Sequence, residues 1–371
     1  MPASRFTQKE MRAVECLLRK PDIDDLHLSE YLGIQVEDAR KLREKLFSRL
    51  LRYVIVPNYS ALGYELIFVV YGSTLSARRL PPVTGEPEYI KCYTHFYLSD
   101  DCFLGIGFAR NYGMLVKHYE KFCGDIGVSR DDAKLLIFPS ELVTFFRFFD
   151  YSQVLVQASP GEAKFTHSFT LGNWLEAWKW KEEGEKLDEI EQKILYAILH
   201  QPAIKSEKLW KFVGVNEKVG ERKLMRLRKS GMYFPSVVPD LKNFGYSGFL
   251  FYHLQKANGL FPLKNIIEQI VWKIPVYFAI CDEKNAFLLS AYREADDVVE
   301  RDVILSEVFQ QEGISMTRID SGYFSYDDLL LRYENGYSGL LNLNTISGDM
   351  RENIKQKQKR GQYKTDSGNR R

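Results

Sequence analysis

The chain has 371 residues, 45% of them hydrophobic and 27% charged, which is too long for one ordinary domain and suits two to four. Its net charge of +2 hides eight Lys or Arg against two acidic residues between Arg351 and Arg371, so a nucleic-acid surface elsewhere has to come from local patches. No apolar run approaches the roughly 18 to 20 residues that cross a bilayer. Arg5, Lys9, Glu10, Arg12 and Glu15 interrupt any signal-peptide core, so a cytoplasmic protein without a membrane partner is expected.

In chain order, Pro21 closes an opening helical stretch, and Asp25 is placed to cap a short second helix, Leu26 to Leu32. Gly33 falls where that helix stops. A third helix, Val36 to Arg49, turns Ala39, Leu42 and Leu46 inward, and Tyr53 to Val56 is a short extended stretch. Strands are predicted over Leu66 to Gly72, Tyr89 to Tyr97, Phe103 to Ala109 and Leu135 to Phe138, with a helix over Tyr112 to Gly124. Arg78-Arg79-Leu80-Pro81-Pro82 cannot make a regular helix. Trp174, Trp178 and Trp180 with Leu171 and Leu175 suit an amphipathic helix, read as a packed linker in preference to a docking helix.

The second half repeats the first. Ile190, Ile194, Ile198 and Leu199 mark a helix that Pro202 ends, and Ser206 is placed to cap Glu207 to Val213. Gly214 ends that helix, and a third follows over Glu217 to Ser230 with Leu224 and Leu227 inward. Met232 to Val238 is extended. Phe249 to Leu254 is a strand, Leu263 to Ile270 a helix, Val276 to Cys281 and Ala286 to Tyr292 a hairpin, Val298 to Gln311 a helix and Ile314 to Phe324 a strand. The tail from Ser338 onward is polar and basic, which predicts disorder.

The offset between the halves is 181 up to the third helix, pairing Pro21 with Pro202, Leu32-Gly33-Ile34 with Val213-Gly214-Val215 and Leu46 with Leu227. It becomes 182 beyond, where Pro57-Asn58-Tyr59-Ser60-Ala61-Leu62-Gly63-Tyr64 matches Pro239-Asp240-Leu241-Lys242-Asn243-Phe244-Gly245-Tyr246. A drift of one residue over that distance is the mark of duplication. The expected fold class is α+β, with two copies of a winged helix-turn-helix followed by a ferredoxin-like βαββαβ domain. The boundaries are 1–56 and 187–238 for the helix-turn-helix units, 57–150 and 239–336 for the α/β domains, 151–186 for the linker and 337–371 for the tail.

In a helix-turn-helix the last helix enters the major groove, and its exposed side has to neutralise phosphate. The candidate DNA-binding residues are therefore Lys218, Arg222, Lys223 and Arg226 in the second copy and Arg40, Lys41, Arg43 and Lys45 in the first. Glu37, Asp38 and Glu44 dilute the first set, so the second is the stronger candidate. A solvated charged face is the plainer reading of either helix. Cys16, Cys92, Cys102, Cys123 and Cys281 have no CxxC spacing, which predicts buried free thiols. His27, His118, His167, His200 and His253 are scattered, and no catalytic residue, metal or cofactor is expected.

Leu187-Asp188-Glu189-Ile190-Glu191-Gln192-Lys193-Ile194-Leu195, Val213-Gly214-Val215, Arg222, Leu227, Ser230-Gly231 and Phe244-Gly245-Tyr246 resemble Lrp/AsnC-type (leucine-responsive) transcription regulators over both modules. The resemblance implies a non-enzymatic, sequence-specific regulator that binds double-stranded DNA. It also implies a possible small-molecule effector and an intrachain pseudo-dimer or homodimer. The effector loop of that family typically reads Gly-Asp-Tyr-Asp, and Leu98-Ser99-Asp100-Asp101 and Cys281-Asp282-Glu283-Lys284-Asn285 lack its glycine and aromatic. One alternative is a siroheme decarboxylase-like tetrapyrrole enzyme, since Thr94-His95-Phe96-Tyr97 resembles a histidine-containing stretch of those enzymes. The other is an interaction scaffold that has lost DNA binding.

Overall fold

A computed structural model describes residues 6–73, 92–98, 102–126, 128–147, 187–202, 204–257 and 262–321. The Trp174 to Trp180 stretch, Arg78 to Pro82, Leu98-Ser99-Asp100-Asp101 beyond Leu98, and the tail lie outside them. So do the first residues of the Tyr89 to Tyr97 strand and everything after Ser321.

The chain folds as two copies of a winged helix-turn-helix followed by a ferredoxin-like domain. In the first copy α1 (Gln8–Arg19), α2 (Asp25–Leu32) and α3 (Val36–Arg49) form the trihelical unit; α5 (Glu189–His200), α6 (Ser206–Val213) and α7 (Glu217–Lys229) repeat it. α4 (Tyr112–Ile126) lies between them. The Thr7 hydroxyl accepts from the Glu10 N–H while the Glu10 carboxylate accepts from the Thr7 N–H, and Asp188 and Glu191 do the same for α5. These reciprocal caps satisfy otherwise orphan donors at the helix start. They lie at the repeat offset of 181, so the duplication reaches back to the first helix. Gly33 (φ 65°) and Gly214 (φ 77°) close α2 and α6 in the left-handed region that the sequence assigns to them.

Two caps differ from expectation. Asp24, not Asp25, accepts from the His27 N–H at the start of α2, because its side chain stands one residue before the first helical turn. In α6 the capping position is Lys205, which makes no side-chain cap, and Ser206 is already helical.

The strand after each helix-turn-helix finds its partner in the other copy. β1 (Leu51–Pro57) and β7 (Tyr233–Pro239) form an antiparallel ribbon in which Val54 faces Ser236. Those two positions are equivalent at the offset of 182. The centre of the ribbon therefore lies on a pseudo-two-fold axis relating the modules.

In the second α/β domain, β8 (Gly248–Lys256), α8 (Leu263–Lys273), β9 (Val276–Cys281), β10 (Asn285–Tyr292), α9 (Ala295–Glu312) and β11 (Ile314–Ser321) give the sheet order β11-β8-β10-β9. The first copy shows the same order in β5 (Ala133–Pro139), β2 (Leu66–Ser73), β4 (Cys102–Ala109) and β3 (Cys92–Leu98). Chain order in the sequence does not reveal that β6 (Phe145–Arg147) crosses over and pairs with β9 of the other copy, Phe146 opposite Ile280.

The inner strands β2, β4, β8, β9 and β10 are buried on both faces, which is why they read as continuous apolar runs. Leu250, Tyr252 and Leu254 face the helices of their own domain with Ile267, Leu305 and Phe309. Phe249 and Phe251 turn the other way, into one core shared with Ile67, Val69 and Tyr71 of β2 and with both helix-turn-helix units. Cys16, Cys123 and Cys281 are buried free thiols.

One contact sets the seat of α7. A Cβ on Gly220 would stand 2.4 Å from Cε3 of Trp210, so only glycine lets α7 and α6 approach this closely. Gly220→Ala is expected to destabilise the fold by about 1–3 kcal/mol through overpacking, read as a lowered urea midpoint. Coupled with Trp210→Leu, the loss should be smaller than the sum of the two single changes; strict additivity would refute the contact.

Candidate nucleic-acid interface

The eight cations predicted to meet DNA do not share one environment. On α3, Arg40 lies 2.7 Å and Lys41 3.9 Å from the Glu37 carboxylate. Arg43 pairs with Asp25 at 2.9 Å and also donates to the Ile23 carbonyl. Lys45 reaches Glu10 at 2.6 Å, and that hydrogen bond holds the Glu10 carboxyl below its usual range against the upward push of burial. On α7, Lys223 donates to Asp188 and, at 3.2 Å, to Glu191, while Arg226 Nε also lies 3.2 Å from Glu191. Burial pushes the Asp188 carboxyl up, but Lys223 and the Glu191 N–H outweigh it and bring it below its ordinary value.

Glu191 is fully buried beneath α7. A buried carboxylate needs cationic and hydrogen-bonding partners, and Lys223 and Arg226 supply them. Lys45 and Glu10 occupy the positions equivalent to Arg226 and Glu191 at the offset of 181. The two copies thus use the same device: the glutamate of the capping box anchors a cation of the third helix. Six of the eight predicted residues therefore have a carboxylate of their own domain within 3.9 Å. Periodicity could place them on the third helices but could not see the acids brought beside them.

Lys218 and Arg222 differ. Both are exposed, and neither has a carboxylate partner among the described residues. With Met225 (56% exposed) and exposed Lys229 they form a stripe at spacings of four, three and four along α7. The equivalent stripe on α3 is Glu37, Lys41, Glu44 and Ser48, also exposed. The α7 stripe carries three positive charges; that of α3 carries one positive and two negative. Lys229 belongs to the surface although the sequence reading left it out. Its signal was the helical spacing from Lys218 and Arg222.

The helix-turn-helix units are tied to each other. Arg228, in the last turn of α7, pairs with Asp22 of the first copy at 2.6 Å, and Tyr53 of β1 donates to the same carboxylate. The equivalent of Arg228 in the first copy is Phe47, so this tie is one-sided.

A second polar contact lies between the sheets. The Tyr71 hydroxyl is 2.9 Å from Nδ1 of His253, and both residues are buried. Their numbers differ by 182, the repeat offset, so these equivalent positions meet across the pseudo-two-fold axis. Phe287 packs against the Tyr71 ring and Phe251 against Phe287. Burial pushes the His253 imidazole below its ordinary pKa, the neighbouring Asn285 amide opposes that, and Lys134 adds to it. The Tyr71 hydroxyl is pushed up to about 12 by burial. Lys134 itself is exposed and stands opposite Tyr71 in the β2–β5 register.

Other predicted features are placed as follows. The loop at Cys281 to Asn285 is a tight turn in which the Asp282 carboxylate accepts from the backbone N–H groups of Lys284 and Asn285. His95 lies in β3 opposite Ile106, with its side chain outside the described residues. His167 and the side chains of His200, Cys92 and Cys102 are outside them as well. Among the described residues no cluster of His, Cys, Asp or Glu could hold a metal ion, and no helix is long and apolar enough to cross a membrane.

No protein-family model and no curated protein sequence matches the chain. Solved structures are similar to it. The siroheme decarboxylase NirDL shares 12% identity over 88% of this chain and 98% of its own, at a TM-score of 0.48. The leucine response regulatory protein of Mycobacterium tuberculosis shares 12% over 38% of this chain and 97% of its own, at a TM-score of 0.31. An AsnC-family regulatory protein from Pyrococcus furiosus shares 12% over 39% and 96%, at a TM-score of 0.30. These likenesses concern the fold. The expectation that the chain is not an enzyme is corrected at this point: a solved structure similar in fold over 88% of it is a siroheme decarboxylase.

The Tyr71–His253 contact has a pH consequence. The unfolded chain protonates this histidine near pH 6.5, while the folded chain resists protonation there. Folding stability is therefore complete above about pH 6.5 and falls as the pH drops from there through the lower folded value. The thermal midpoint should fall between about pH 7.5 and about pH 5.5, and His253→Phe should flatten that slope. An unaltered slope in the variant would show that other groups set it.

Proposed function

We propose that the chain binds duplex DNA through the outward stripe of α7 and regulates transcription there, whether or not it also carries an enzymatic site. The observation that supports this reading is the stripe itself: Lys218, Arg222 and Lys229, exposed at helical spacing on the third helix of a helix-turn-helix. Phosphate does not have to displace a carboxylate from these three, which have none as partner among the described residues. Arg222 lies mid-helix, where a guanidinium can meet the O6/N7 edge of guanine in the major groove, and Met225 beside it offers an apolar surface for a thymine methyl. Lys223 and Arg226 hold the helix on its domain through Glu191.

Lys218→Ala with Arg222→Ala is expected to weaken binding to duplex DNA at least about tenfold and to flatten the dependence of log K on log salt by about 1.8, two phosphate contacts at about 0.9 each. Fluorescence anisotropy across a salt series reads both quantities. Equal affinity and slope for the variant and the parent would remove this reading.

A second reading, favoured by the Tyr71–His253 pair, is a tetrapyrrole-binding enzyme of the siroheme decarboxylase type. A neutral imidazole hydrogen-bonded to a phenol can hold or pass a proton, and exposed Lys134 nearby can meet a carboxylate. Phe251 and Phe287 fill the space beside the pair, so a macrocycle would have to approach from the Lys134 side. The DNA surface and this pair are separate, and one chain can carry both. Titration with iron-uroporphyrin should shift the Soret band for the parent chain and much less for Tyr71→Phe. A band that stays at the position of free porphyrin eliminates the enzyme reading.

A further inference from the structure

We infer that only one of the two helix-turn-helix units reads DNA: α7 enters the major groove, α3 stays out of it, and the recognised site is a single segment without inverted repetition. This rests on the DNA-binding reading of α7. The paired modules follow a pseudo-two-fold axis, marked by Val54 opposite Ser236 in the ribbon and by Tyr71 against His253 between the sheets. Two symmetric readers on such an axis would demand a palindromic operator, with half-sites related as the modules are.

The surfaces break that symmetry. Where α7 presents Lys218, Arg222, Met225 and Lys229, α3 presents Glu37, Lys41, Glu44 and Ser48. The sign change from Lys218 to Glu37 has a second effect, because Glu37 also draws on both Arg40 and Lys41. Arg43 is turned back to Asp25 and the Ile23 carbonyl, and Lys45 to Glu10. Each predicted cation of α3 thus has a carboxylate at hand, and Glu44 adds a charge that repels phosphate. Carboxylates brought against a phosphate rail are repelled by it and release no counterions.

The first unit has another task. Asp22 binds Arg228 at the end of α7 and also accepts from Tyr53. No symmetric contact is available from Phe47 at the matching position. The first helix-turn-helix therefore braces the second, and the tie runs in one direction only.

The test uses the full chain and a pool of duplexes about 40 bp long with a randomised core, enough for two half-sites roughly one helical turn apart. Selection by the parent chain should enrich one motif without inverted repetition. On the enriched duplex, Lys218→Glu with Arg222→Glu should lower affinity at least about tenfold, and Lys41→Glu with Ser48→Glu should leave it within about twofold. All four positions are exposed, and circular dichroism of each variant verifies that the fold is kept. An enriched inverted repeat, or an equal loss from the α3 pair, overturns the single-reader inference and leaves DNA binding intact. Failure to enrich any motif, or insensitivity to both pairs, overturns the DNA-binding reading and this inference with it.

Discussion

The whole molecule depends on the burial of two sheet faces against each other. A ferredoxin-like sheet covers one face with its own helices and leaves the other apolar, and that second face has to find a cover. Here Ile67, Val69 and Tyr71 of one copy meet Phe249, Phe251 and Phe287 of the other in a core continuous with both trihelical units. Because equivalent faces meet, a two-fold relation between the modules follows. Two contacts between equivalent positions, one in the β1–β7 ribbon and one between the sheets, record the axis. The crossing of β6 onto β9 adds main-chain hydrogen bonds to the same union.

That union separates two kinds of constraint. Residues facing the axis have to suit each other across it, as Tyr71 suits His253 through a hydrogen bond and Val54 stands opposite Ser236 in the ribbon. Residues facing solvent are under no such pressure, and the outward faces of α3 and α7 have diverged in sign. A symmetric scaffold with asymmetric surfaces follows naturally from holding two copies in one chain, since each copy can change without altering the other.

Much of the architecture was legible in the sequence. The helical periodicity gave α3 its bounds, and the glycines at 33 and 214 gave the ends of α2 and α6. Val276–Cys281 was delimited by its apolar run and the turn that follows. What was not legible depends on distance in space. No local pattern says that Leu51–Pro57 pairs with Tyr233–Pro239 and not with a neighbouring wing strand, or that Phe145–Arg147 joins the sheet of the other copy. For the candidate surface the limit is similar. Spacing put Lys223 and Arg226 on the correct helix, but Glu191 lies in a helix more than thirty residues earlier, and folding brings it beneath them.

The duplication offers an internal way to separate structural from surface charges. A charge pair that recurs at the equivalent positions of both copies serves the fold they share. Glu10 with Lys45 and Glu191 with Arg226 recur in this way, which marks both pairs as parts of the scaffold. A charge that serves an external partner recurs only if both copies meet that partner. Lys41 and Arg222 are both cationic, yet Lys41 has Glu37 one turn before it where Arg222 has Lys218. The same position is therefore neutralised on one helix and reinforced on the other. Glu37 and Glu44 would be repelled by a phosphate rail, whereas Lys218 and Met225 at the matching positions of α7 carry no negative charge, and on the single-reader proposal α3 faces water or protein instead.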